Sequence, residues 1–131
     1  MKNPLAPWSP HLLSVLRIVS ALLFLAHGTS KFLDFPHNPQ YDHLVFLSPG
    51  GIAGVIELVG GVLLTLGLFS RCAAFIMSGE MAVAYFMAHA PQGFHPQLNH
   101  GELAIMFCFA FLYVAAAGPG PWSLDALRKK A

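Results

Sequence analysis

Four stretches of this chain, Leu12–Leu33, Gly51–Phe69, Cys72–Ala90 and Gly101–Gly118, are almost free of charge and long enough to cross a lipid bilayer. At about 1.5 Å of rise per residue each helix would span roughly 27–33 Å, close to the hydrocarbon thickness. A water-soluble helical core would need polar faces that these segments lack. Composition agrees: 56% of the residues are hydrophobic and 10% charged, and mean hydropathy is +0.61. Soluble domains carry about 25% charged residues. The fold class expected is therefore all-α, an integral-membrane four-helix bundle forming one domain over residues 1–131.

The charges outside the spans orient it. Lys2 precedes the first span, Arg71 separates the second and third, and Arg128, Lys129 and Lys130 follow the fourth, whereas Asp34–Gly50 and Pro91–His100 hold neither Lys nor Arg. The positive-inside rule puts both termini in the cytoplasm. A cleaved signal peptide fits poorly, because Ala26-His27-Gly28-Thr29 makes an unconvincing cleavage site, so the first segment is expected to be retained. Gly118-Pro119-Gly120-Pro121 stops the fourth helix. Trp122 suits the interface, and Ser123 can cap a short basic interfacial helix with Asp125 in its first turn. That tail reads as an anchor on anionic lipid. The net charge of +1, with only a short basic cluster, points to no nucleic-acid partner.

Ionisable groups inside the spans are the functional handle. Each costs a few kcal/mol in hydrocarbon and seldom faces lipid. Three spans carry a glutamate, Glu57, Glu80 and Glu102, and the first carries Arg17, His27 and Lys31. His27 and Lys31, four apart, share a helix face. Glu57 lies on a stripe with Gly54 and Gly61, which marks close helix contact. Glu80 shares a face with Ala73, Met77, Ala84 and Met87, and Glu102 heads the stripe Met106, Phe109, Tyr113. With the topology above, His27, Lys31, Glu57 and Glu102 fall in the outer half of the bundle and Glu80 close to the midplane, while Arg17 sits near the cytoplasmic end. His89, nine residues after Glu80, is expected on the opposite face.

Two roles fit such a set. It can staple helices, for example through Lys31 and Glu102, or it can exchange protons with a quinol-like ligand. Haem and metal sites are disfavoured. His95, His100 and Glu102 match no trusted ligand spacing, and His27 lacks a histidine at matching depth on another span. His37, His43 and His95 read as solvated loop side chains. Cys72 and Cys108 lie at different depths and are not expected to form a disulfide.

The motifs resemble a known family. Leu16-Arg17, His27-Gly28-xx-Lys31-Phe32, Gly54-xx-Glu57-Leu58-xx-Gly61, Leu66-Gly67-Leu68-Phe69-xx-Arg71, Gly101-Glu102-Leu103-Ala104 and Gly118-Pro119-Gly120-xx-Ser123-Leu124-Asp125 occur here in the order and spacing of the DoxX family. The resemblance covers nearly the whole chain. It implies a multi-pass protein of the bacterial inner membrane, with wider relatives that include a subunit of thiosulfate:quinone oxidoreductase and proteins tied to thiol redox or oxidative stress. It marks His27, Lys31, Glu57 and Glu102 as motif positions, with Arg17, Glu80 and Asp125 as additions; His100 and Tyr113 are further candidates. The expected function is a redox-associated subunit binding a quinone-like ligand beside a redox partner. The chain has no CxxC, flavin fingerprint or iron–sulfur ligands of its own. A proton-coupled transporter and a purely structural assembly subunit are the alternatives, and the span-two glycines could serve a homo-oligomer.

Overall fold

A computed structural model describes residues 1–130, and it is helical throughout, with no strand among the described residues. Helix ends follow local chemistry. A 3-10 turn at Ala6–Trp8 leads into α1 (Ser9–Leu33), with Pro10 in its first turn, where the missing N–H costs nothing. It stops at Asp34, which adopts a left-handed conformation. After a 3-10 turn at Pro39–Tyr41, α2 (Pro49–Leu66) opens on Ser48, whose hydroxyl accepts from Gly51 N at 3.2 Å. It ends at Gly67, where φ is +70° and glycine avoids a Cβ clash. α3 (Ser70–Ala84) widens into a π turn at Tyr85–His89 and closes with a 3-10 turn at Ala90–Gln92. A single turn, α4 (Pro96–Asn99), precedes α5 (Glu102–Ala117), and α6 (Leu124–Lys130) is the tail helix. Ser123 Oγ accepts from Ala126 N at 3.1 Å, which is the cap expected from the sequence.

Three helical segments are long and apolar enough to cross a membrane: Ala6–Leu33, Pro49–Leu66 and Ser70–Gln92. The fourth apolar helix, α5, has 16 residues and is shorter than the sequence suggested. Each end falls one residue inside the expected Gly101–Gly118, and the left-handed His100 separates it from α4.

Glycines set the closest helix contact. A Cβ on Gly28 would lie 2.8 Å from Leu58 N, one on Gly61 would lie 2.9 Å from Leu25 Cβ, and one on Gly54 would lie 2.7 Å from a Phe32 ring carbon. These contacts pair early α2 with late α1, so the two helices run antiparallel with their backbones nearly touching. α2 also packs on α3, α3 on α5 and α5 on α1, closing a ring. Inside it Phe24 meets Phe111 edge-on at 5.0 Å and Phe107 stacks on Phe111 at 5.5 Å, among Leu64, Met77 and Val114. Val19, Leu22, Leu23, Val59, Phe75, Ile76, Met106 and Phe109 instead point outward. An apolar belt of this kind contacts lipid.

Candidate functional site

The ring is filled at one end and hollow at the other. The hollow end, beneath the loops that follow α1 and α3, holds an open-sided cavity of about 760 Å³. Every long helix contributes to it: His27 and Lys31 from α1, Glu57 from α2, Glu80 from α3, Phe107 from α5. Among its apolar walls are Phe24, Ile56, Met81, Met87 and Phe107.

Lys31 and Glu57 meet across the glycine seam. Lys31 Nζ donates to Glu57 Oε1 at 2.9 Å and lies 2.9 Å from Oε2, with both side chains less than a tenth exposed. Oε2 is near the ammonium but outside hydrogen-bond alignment. The ammonium also lies 5.4 Å from the centre of the Tyr41 ring. The sequence offered Glu102 as the partner of Lys31; the close approach of α1 and α2 at Gly28 and Gly54 selects Glu57 instead.

Glu80 differs. Both its carboxyl oxygens are buried and neither has a hydrogen-bond partner. Beside it, a Cβ on Gly79 would meet nothing within 4 Å. Leaving a buried polar group unpaired costs about 1–3 kcal/mol, more when it is charged. Among the described residues Glu80 is therefore the one carboxyl of the cavity without a hydrogen-bond partner.

The loops contribute more than the sequence suggested. Gln40 and Tyr41 line the cavity, so the proline-rich loop after α1 covers its mouth. Burial, and then the nearby Glu57 carboxylate, push the Tyr41 hydroxyl pKa up. His100, a secondary candidate, and His89 also line the cavity. His89 corrects the sequence reading: the π turn at Tyr85–His89 inserts an extra residue per turn, so a count at 3.6 residues per turn mislays it. Behind it Asn99, with no exposed surface, donates to Gly93 O at 2.8 Å and to Tyr85 Oη at 3.3 Å, and accepts from Gly101 N at 2.9 Å. The Asn99-His100-Gly101 run was the only sequence signal of a tight turn there.

Four expected residues stand elsewhere. Glu102 is exposed as the first residue of α5, where its charge complements the helix dipole. Tyr113 is exposed on the outer surface. Arg17 and Asp125 sit together at the opposite end. Arg17 has no exposed surface and donates to the carbonyls of Pro119 and of Trp122 (2.6 Å), leaving only its Nε unpaired. Asp125 accepts from Phe69 N at 3.0 Å and Ser70 N at 2.8 Å, capping α3 from across the chain. Partial burial raises its pKa, but the hydrogen bonds from Ser70 and Phe69, with Arg128, outweigh it and hold the carboxyl below its ordinary value. Arg71 donates to the last carbonyls of α5, Ala115 and Ala116. Cys72 and Cys108 are free thiols. On the surface Asp34, His37 and Asp42 gather, with His37 Nδ1 2.5 Å from Asp34 Oδ1; all three are exposed.

Known proteins give a consistent picture. The DoxX family profile matches residues 12–90. A Haemophilus influenzae protein with no assigned function is 48% identical over 127 residues, covering 94% of this chain and 95% of its own. The Escherichia coli inner membrane protein YqjF is 27% identical, covering 88% and 91%. CatD of Bacillus subtilis, named as a candidate oxidoreductase, is 26% identical, covering 85% and 82%. No solved structure matches. The chain belongs to the DoxX family of membrane proteins.

Proposed function

We propose that this chain is a four-span protein of the bacterial inner membrane with both termini in the cytoplasm, and that its outer-half cavity binds a quinone-like ligand for a redox partner that carries the electrons. His27, Lys31, Glu57 and Glu80 form its polar floor, and His100 stands at its mouth. One observation carries the reading. Glu80 keeps two buried carboxyl oxygens without partners inside a cavity large enough for a ring-sized ligand, beside an ion pair that already uses the only cavity cation. A staple would have satisfied that group. The aromatic wall formed by Phe24 and Phe107 suits a planar head.

The orientation rests on Lys2, Arg71, Arg128, Lys129 and Lys130. The inner-membrane assignment gains support from YqjF and the redox association from CatD. α5 is short for a span, but a local thinning of the bilayer accommodates such a helix at modest cost. The packed end opposes the transporter alternative: Arg17, the one charge along a path to that side, is closed in by Pro119 and Trp122.

The test is calorimetric titration of the detergent-solubilised protein with a short-chain benzoquinone and its quinol. Saturable binding is expected, weakened at least about ten-fold in Glu80→Gln and in Lys31→Met. Binding of neither form would sink the reading.

A further inference from the structure

The hydrogen-bond inventory of the cavity decides which form of such a ligand it prefers. His89 is the key. Its Nδ1 lies 3.0 Å from the carbonyl oxygen of Asn99. A carbonyl only accepts, so Nδ1 carries the proton, and in the neutral ring Nε2 is left as an acceptor. The assignment is rigid because Asn99 is buried and fixed by three hydrogen bonds of its own. A π turn and a buried asparagine thus hold one tautomer of a histidine that lines the cavity. π turns inside helices are frequent at functional sites.

The other fixed groups lean the same way. Ionised, Glu80 offers acceptors only; protonated, it still keeps an acceptor oxygen beside its single donor. Glu57 Oε2 has no aligned donor. The strongest donor in the cavity, the Lys31 ammonium, is committed to Glu57 and lies near the face of Tyr41. His27 and His100 make no hydrogen bond through their rings among the described residues, and each can serve as donor or acceptor by choice of tautomer. They therefore impose no preference, and neither do the Gln40 amide and the Tyr41 hydroxyl at the mouth, each of which can donate or accept.

From this imbalance we infer that the cavity selects a ligand whose ring carries hydrogen-bond donors, a diphenol, over the corresponding quinone, with Glu80 and His89 Nε2 receiving its hydroxyl hydrogens. A quinone presents carbonyls that only accept, and it would leave these acceptors without partners. A diphenol satisfies them. The inference rests on the ligand-binding reading given above and adds which redox form the resting protein holds. No electron transfer is involved in this selection.

The experiment uses the unaltered full-length protein in detergent, without oxygen, and three probes of nearly the same shape: a short-chain benzoquinol, its dimethyl ether and the matching benzoquinone. Binding is measured by calorimetry for each. The expected order puts the quinol at least about ten-fold tighter than either of the others, since both lack its donors. Equal affinity for all three, or tighter binding of the quinone, overturns the inference while leaving a ligand cavity in place. If none of the three binds, the ligand-binding reading falls and takes the inference with it. His89→Leu then tests the residue: the quinol preference should shrink, with quinol affinity falling and quinone affinity holding or rising. A preference that survives the substitution removes His89 from the selection.

Discussion

The two ends of this molecule hold similar charged side chains and put them to opposite uses. At the tail end Arg17, Arg71 and Asp125 all end on main-chain groups. Arg17 closes the Pro119 and Trp122 carbonyls, Arg71 covers the last turn of α5, and Asp125 caps α3. At the loop end Lys31 meets Glu57, and Glu80 meets nothing. The difference is geometric. The end of α5, the Pro119–Trp122 turn and the start of α3 bring main-chain partners to the tail-end charges, whereas the loop end leaves a cavity where partners would be. A charge in a membrane helix is therefore read by what its neighbours leave unsatisfied.

The comparison can be broken most forcefully at Arg17. Arg17→Met strands two part-buried carbonyls and removes a fully buried side chain, and it should cost about 3 kcal/mol of stability, seen as a large fall in Tm in detergent. The folded fraction should bind ligand as before, because nothing in the cavity has moved. A loss of binding without a loss of stability would contradict the division between the ends.

Lys31→Met comes next, since it bridges the two behaviours. It leaves Glu57 buried without its cation and should cost about 3 kcal/mol, and it should weaken ligand binding as well. Adding Glu57→Leu removes the stranded carboxylate and should recover most of the stability, though not the binding. A double variant no more stable than the single one would mean that the pair was not the source of the loss.

Asp125→Asn is smaller. Losing this cap on α3 should cost about 1 kcal/mol at neutral pH. The pH dependence has a definite sign. The folded carboxyl titrates below its unfolded value of about 3.9, so its contribution is complete above that value and is lost as pH falls through the folded one. Acid unfolding should accordingly retain a step below about pH 4 that vanishes in Asp125→Asn, measurable by circular dichroism.

The smallest effect belongs to the surface loop. The hydrogen bond that His37 donates to Asp34, and then the Asp34 charge, raise the pKa of His37 above the ordinary histidine value of about 6.5. Its contribution is present at pH below the unfolded value and fades as pH rises through the folded one. His37→Gln should leave Tm and ligand binding unchanged, and NMR titration of His37 should give a value above that of a free histidine.

Much of this architecture is legible in the chain itself. Apolar runs mark the helices to within a few residues, Ser123 announces the tail cap, and the Gly54–Gly61 stripe points Glu57 into a close helix contact. These are local signals. The glutamate partner of Lys31 is not local: it depends on how closely Gly28 and Gly54 let the two backbones approach, which favoured Glu57 over Glu102. His89 was lost because a helical wheel presumes 3.6 residues per turn, and the π turn does not keep that count. Glu102 and Tyr113 lie outside the cavity although α5 begins within one residue of its expected start: the helix is apolar on every side, so its sequence does not mark the buried face, and the stripe of Met106, Phe109 and Tyr113 faces outward. Tyr41 reads only as an interfacial aromatic of a proline-rich outer loop that either folds over the bundle mouth or merely connects, because a loop sequence does not tell which way the loop folds.

Glu80 gives the most direct test of the central claim, that the loop-end carboxyl is kept for a ligand and not for the fold. Glu80→Met keeps nearly the same shape without the polar group, and both Tm and quinol affinity can be measured on the same preparation. Tm should stay the same or rise, because an unpartnered buried polar group has been removed, and affinity should fall at least about ten-fold. A Tm that drops as it does for Arg17→Met, with affinity intact, would make Glu80 a staple and contradict the account.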